Sequence, residues 1–214
     1  MPPLPRPLLI ASLGNPGSTY ANTLHSAGHT LLAAIAQYLN YLPFKRERVL
    51  ADAPTSRRWP SAADNLNDVV DWTLWQSPSL MNVSGRPVST AWKAWQRGAV
   101  TTTSQLDGNE SVRKDRGLLV LLHDELDMPL GQLKQKKAGV SARGHNGVRS
   151  VQAALPKTPF VRIAVGIGRP DGRSAKESGV IAKWVLKKMT REERERIEGS
   201  AGECVEILKQ LGRG

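Results

Sequence analysis

Residues 118–127 read Leu118-Leu119-Val120-Leu121-Leu122-His123-Asp124-Glu125-Leu126-Asp127. Five apolar residues without alternation predict a strand buried on both faces, the pattern of a parallel sheet covered by helices. The run then gives way to a histidine and three carboxylates. In open α/β sheets ligands bind beyond the carboxyl ends of strands, so chemistry is expected here. Residues 8–13 (LLIASL) read the same way and run into a Gly14-Asn15-Pro16-Gly17 turn. Residues 69–76 and 161–167 predict further strands, and 132–137 a short edge strand. Helical spacing appears over 27–39, with Leu31, Leu32, Ile35, Ala36 and Leu39 on one stripe. A second helix is expected after Ser84 as N-cap, with Pro87 in its first turn and Ala91, Trp92 and Trp95 beyond. Residues 146–155 suit a third. A fourth, over 190–211, opens on a Thr190/Glu193 capping box and carries Ile197, Ala201, Val205 and Leu208. Alternating strands and helices predict one α/β domain over residues 1–214 with a largely parallel sheet. Residues 52–68 and 98–116, polar and poor in large apolar side chains, are expected to be loops.

The 214 residues are 40% hydrophobic, enough for a substantial core. The single cysteine, Cys204, excludes an intramolecular disulfide framework and a Cys-rich zinc site. It lies beside the stripe of the last helix, so packing is its expected role. Apolar runs fall far short of the ~20 residues a membrane span needs. The Pro-rich residues 1–7 resemble neither a signal nor a transit peptide. A soluble intracellular protein is expected, in the cytoplasm, with the mitochondrion as the alternative. Thirty Lys and Arg against 19 Asp and Glu give a net charge of +11. Residues 132–188 carry that whole excess, because only Asp171 and Glu177 oppose their Lys and Arg. Such a segment favours a polyanionic partner such as nucleic acid.

Three further motifs sit at expected strand ends or helix starts. Gly14-Asn15-Pro16-Gly17-Ser18-Thr19-Tyr20, with His25 close behind, is neither a P-loop nor a Gly-x-Gly-x-x-Gly fingerprint. Met81-Asn82-Val83-Ser84-Gly85 places an amide before a helix. Arg143-Gly144-His145-Asn146-Gly147 opens another, with Asn146 either as N-cap or as an amide presented to an anion. The carboxylates of 124–127 allow a solvated turn, a Mg²⁺ site, or one carboxylate fixing the tautomer of a distant histidine. No serine or cysteine sits in a Gly-x-Ser-x-Gly-like elbow. Hydrolysis, if present, would therefore use water activated by a histidine.

Taken together and in order, these motifs resemble the bacterial-type peptidyl-tRNA hydrolases. The stretch Val165-Gly166-Ile167-Gly168-Arg169-Pro170 adds to the match, which spans about 8–189. The resemblance implies a monomeric three-layer α/β domain with a mixed, mostly parallel twisted sheet flanked by helices. It implies cleavage of the ester joining a peptide to the 3′ end of tRNA, with no metal and no cofactor. By the same route His25 is the base that activates water, and Asp124 orients it. Asn15, Asn82 and Asn146 position peptide, water and tRNA end, while Tyr20, Met81 and His145 line the site. The basic segment is then the expected tRNA face, with Lys134, Lys136, Arg143 and Arg149.

The chain departs from the family pattern in places. Ser26 stands where an Asn is usual. The approach to His145 is longer and carries Arg143. Ala164 replaces the second of two arginines, the first being matched by Arg162, so a phosphate contact is expected to be missing. The two expected loops look like insertions of eukaryotic members. Two rival readings exist: a metal-dependent phosphoesterase or nuclease using Asp124, Glu125 and Asp127, and a non-enzymatic RNA-binding module. The scarcity of Tyr and Phe for base stacking speaks against the second.

Overall fold

Strand β5 (Leu118–Glu125) is buried at every position. It lies between two parallel neighbours, β1 (Leu8–Ser12) and β7 (Phe160–Gly166), with Ile10 opposite Val120 and Leu121 opposite Arg162. The computed structural model describes residues 6–57, 72–107, 117–137, 139–170 and 177–213. Strand β4 (Trp72–Gln76) extends the parallel block beyond β1. Antiparallel strands finish both sides: β3 (Ala53–Arg57) and β2 (Lys45–Glu47) beyond β4, and β6 (Leu133–Lys136) beyond β7. The full order is β2-β3-β4-β1-β5-β7-β6.

Side chains of a strand alternate between faces, so β5 feeds two cores. Leu118, Val120 and Leu122 join Leu8, Ile10, Ile163 and Val165 on one side. There they pack on Leu31, Leu32 and Ile35 of α1 (Ala27–Tyr38) and on the two last helices, α5 (Arg191–Glu198) and α6 (Ala201–Arg213). Leu119 and Leu121 join Leu9 and Ala11 on the other side. Their partners are Val88, Trp92 and Trp95 of α2 (Gly85–Asp107) and Val148 and Val151 of α3 (Asn146–Ala154). This is the expected three-layer α/β domain. Each fully buried Leu or Ile contributes roughly 1.5–3 kcal/mol, which rewards the strict alternation. Cys204 lies in the first core, where burial, helped by Glu203, pushes its thiol up to about 12.

Several expectations need correction. Residues 53–57 are not loop but strand β3, because Thr55 and Ser56 pair with β4 and the Trp75 indole donates to Leu50 O at 2.9 Å. The rest of that expected loop, residues 58–68, lies outside the described residues, as do 69–71 of the β4 strand. Helix α2 continues through residues expected as loop and ends at Asp107. Its Thr- and Ser-rich end extends a helix already nucleated, and propagation is cheap where nucleation is not. Residues 108–116 lie outside the described residues. The expected last helix is two: the capping box of Thr190 and Glu193 starts α5, and Gly199-Ser200 separates it from α6. The Ser200 hydroxyl donates to Gly131 O and Arg196 O, a tertiary tie that breaks the helix there. Helix α4 (Ser178–Leu186) and strand β2 were not anticipated. Among the described residues, no helix is long and apolar enough to cross a membrane.

Candidate active site

His25 sits in a 3₁₀ turn, Leu24–Ser26, that leads into α1. Its backbone is tied from several sides. The hydroxyls of Thr23 and Ser26 donate to Tyr20 O at 2.9 and 3.0 Å. Ser26, where the family pattern has Asn, is thus spent on fastening the turn. Leu24 N donates to Lys187 O at 3.1 Å, and Lys188 Nζ donates to Ser18 O at 3.0 Å and to Ala21 O. A rigid turn places the imidazole against the carboxyl end of β5.

There His25 Nδ1 donates to Asp124, at 2.9 Å from Oδ1 and 3.0 Å from Oδ2. His145, the residue that caps α3, reaches the same Oδ1 with Nε2 at 2.9 Å. Its Nδ1 accepts from Val148 N at 3.2 Å, so Nε2 carries the proton given to Asp124. The cap is therefore His145 rather than Asn146, because only the His145 side chain turns back over the helix start. Asp124 is 4% exposed and accepts from both rings. With Nδ1 engaged, the His25 lone pair lies on Nε2, on a ring still 15% exposed. Burial opposes charging His25, but the Asp124 carboxylate outweighs it and raises its pKa above the ordinary 6.5. Burial alone would raise Asp124; His25 and His145 instead hold it far below the carboxylate range.

Two more histidines support this group without joining it. His123 donates from Nδ1 to Asp124 O at 2.7 Å, and its ring meets His145 edge-on, with 4.9 Å between centroids. His29, one turn after His25 on α1, forms a 2.7 Å hydrogen bond with the Ser12 hydroxyl at the end of β1. Its ring fills the space where a Cβ on residue 14 would lie, which is why Gly14 opens the following turn. Burial pushes His29 down to about 4, and burial with His145 pushes His123 down to about 3. Below pH 6.5 the unfolded chain protonates both rings while the folded chain keeps them neutral. Each costs roughly 1.4 kcal/mol of stability per pH unit down to about pH 4. His25, raised above 6.5, is charged in both states there and does not compensate. The urea midpoint is expected to fall steadily between pH 6.5 and 4. A midpoint that stays flat would contradict buried neutral rings.

The remaining motifs converge through backbone and packing. Asn15 Oδ1 accepts from Met81 N at 2.7 Å, joining the turn after β1 to the turn before α2. Met81 is buried against Gly147, where a Cβ would strike its sulfur. Asn82 and Asn146, next in chain to these two residues, are exposed, and Tyr20 is half-buried.

The three carboxylates of residues 124–127 separate. Asp124 takes the histidines, Glu125 takes Lys136, and Asp127 takes Arg169 Nε at 2.6 Å. The Mg²⁺ reading, which needs several oxygens at one point, does not fit this arrangement. His25, Asp124 and His145 do lie close enough to share an ion, yet both imidazole nitrogens already hydrogen-bond the carboxylate.

The basic segment is likewise divided. Lys134, Arg143 and Arg149 are exposed. Lys136, expected on the tRNA face, is only 12% exposed and ion-paired with Glu125. Lys187 and Lys188 serve Glu193 and the His25 turn. The supporting roles of His29, His123 and Lys188 were not read from sequence. An isolated histidine or lysine carries no pattern that names its partner.

An open α/β sheet that holds a His–Asp pair at the carboxyl end of a parallel strand presents the base-and-orienter arrangement that hydrolytic enzymes use. Residues 9–214 match the family model described as peptidyl-tRNA hydrolase. The chain is 33% identical to the probable peptidyl-tRNA hydrolase of Schizosaccharomyces pombe, covering 95% of this chain and 82% of that one. It is 34% identical to the peptidyl-tRNA hydrolase of Frankia casuarinae, covering 94% and 87%. The crystal structure of peptidyl-tRNA hydrolase from Acinetobacter baumannii matches at a TM-score of 0.67 and 25% identity, over 99% of this chain and 91% of that one. The chain belongs to the peptidyl-tRNA hydrolase family.

Proposed function

We propose that this enzyme hydrolyses the ester between the peptide and the 3′ end of tRNA, with His25 as general base. The observation that carries the assignment is the His25 Nδ1–Asp124 pair, which leaves the Nε2 lone pair on the open edge of the ring. Nε2 takes a proton from water, and the water oxygen bonds to the ester carbonyl carbon. Collapse breaks the bond to the 3′-oxygen, which takes that proton back from His25 and leaves as tRNA. The peptide leaves with a free carboxyl group. A positioned base of this kind contributes ~10²- to 10⁴-fold.

Asn15 spends its carbonyl on Met81 N, so its NH₂ group remains to donate to the substrate. Asn82 and Asn146 present exposed amides from the adjoining turns, suited to the water and the tRNA end. An amide donor on the developing oxyanion is worth ~10²- to 10³-fold. Tyr20, Met81 and His145 form the walls. Lys134, Arg143 and Arg149 make the tRNA face, and Lys136 drops out of it because Glu125 holds its ammonium. The working unit is taken to be a monomer, as the family resemblance implies.

The test is release of tRNA from a peptidyl-tRNA, with unblocked aminoacyl-tRNA as control. Release from the peptidyl form alone, unchanged by chelator, is expected. Equal cleavage of both substrates would refute the peptidyl specificity, and loss of activity with chelator would favour the nuclease-like reading. In the same assay, replacing Lys134 and Arg149 by Gln is expected to raise KM and flatten its salt dependence.

A further inference from the structure

We propose that Arg162 is a positioning residue, one that fastens residues 139–145 to the sheet and so holds His145 on Asp124. The inference rests on the hydrolase reading of the site. Arg162 lies in β7 and is 1% exposed. One of its terminal nitrogens donates to Val140 O at 2.7 Å and to Ser141 O at 3.3 Å. Gln152 of α3 donates to the same Val140 carbonyl at 3.0 Å. Such a buried guanidinium is not placed to meet a tRNA phosphate, the role that its position in the family stretch suggested.

The segment needs this fastening. Gly139, Arg143 and Gly144 all have positive φ, at 81°, 45° and 85°, so no helix or strand ladder supports the backbone. Val140, Arg143 and Gly144 are exposed, and packing does little to hold them. Ala142 packs against the second core, and the rest of the hold is polar: the bonds to Val140 and Ser141 at one end, and His145 on Asp124 at the other. Both anchors belong to one sheet. Leu121 and Asp124 of β5 pair with Arg162 and Val165 of β7, so the two attachment points keep a fixed spacing. Exposed Arg143 is carried between them. A buried cation is expensive in a sheet core, and hydrophobic residues of similar volume are often no worse for stability. The carbonyls it binds give it a purpose.

When His145 no longer donates to Asp124, the carboxylate charge falls more fully on His25. The His25 pKa then rises further, and the acidic limb of the kcat profile moves to higher pH. Arg162→Met is expected to lower kcat by on the order of 10- to 10²-fold, as a misplaced site does. The acidic limb moves upward, and the salt dependence of KM stays unchanged. Arg162→Lys, which keeps one donor, recovers part of kcat. Gln152→Ala, at the surface, is expected to lower kcat roughly 2- to 10-fold with the same limb shift, and it covers the case in which Arg162→Met does not fold. Amide hydrogen exchange over 140–145 is expected to accelerate in both variants, a readout independent of activity.

Unchanged exchange there would overturn the proposal. So would a flattened salt slope with kcat intact, which marks a phosphate contact. So would activity lost only in proportion to the unfolded fraction, with the limb unmoved. Release of tRNA by the wild-type chain checks the hydrolase reading separately.

Discussion

His25→Ala is expected to lower kcat for peptidyl-tRNA by ~10²- to 10⁴-fold, the worth of a positioned general base. The substitution removes the nitrogen that takes the proton from water and leaves the rest of the site in place. Asp124 keeps the hydrogen bond from His145, and the basic face is untouched. The Kd for tRNA is therefore expected to stay within a few-fold of wild type by the ~0.2–1 kcal/mol scale of peripheral electrostatic changes. Single-turnover release together with equilibrium tRNA binding separates the two effects. Wild-type turnover in the variant would remove His25 from the mechanism. Parallel loss of turnover and binding would make it a binding residue instead.

Asp124→Asn is the second large effect, and it tests the tautomer. The carboxylate accepts from His25 and from His145 at once. An amide of the same shape offers one acceptor and one donor. If the donor faces His25, Nδ1 must accept, and the proton moves to Nε2, where the base is needed. Removing the carboxylate from a His–Asp pair costs about 10⁴ in kcat in the serine-protease triad, and ~10²- to 10⁴-fold is expected here. The pH profile gives an independent sign. A base works when neutral, so the rate falls as pH drops through its pKa. In the wild type Asp124 raises that pKa, and the acidic limb is expected to have its midpoint above 6.5. In the variant only burial remains, which favours the neutral ring, and the limb moves to lower pH. A limb that stays in place would show that Asp124 does not govern His25.

The strands were legible because their signal is local. Residues 118–122 bury both faces and carry no polar residue, so no tertiary information is needed to read them. The same holds for the capping box of Thr190 and Glu193, which needs only spacing three. The break at Gly199-Ser200 was not legible, because its cause is Gly131 O, far away in sequence. Strand β3 was missed for a similar reason: Ala53-Pro54-Thr55-Ser56-Arg57 has neither run nor alternation, and only pairing with β4 makes it a strand.

The site divides along the same line. The residue types were readable from the motifs, down to a histidine, a carboxylate and three amides at strand ends. Their pairing was supplied by family resemblance, since His25 and Asp124 lie 99 positions apart. The fate of each charge was not readable at all. Lys134 and Lys136 differ by two positions, yet one is exposed and the other sits on Glu125. Arg162 looks like part of the basic run, and the fold spends it on two carbonyls. The sequence by itself determined the sheet's central strands, the presence of helices α1, α2 and α3 beside them and the net charge of the segment, because these depend on short-range pattern and on counting. Only the tertiary structure decided which ionic groups meet water and which meet each other. A charge is neutralised by whatever the fold brings within hydrogen-bond reach, and that neighbour is seldom a neighbour in sequence.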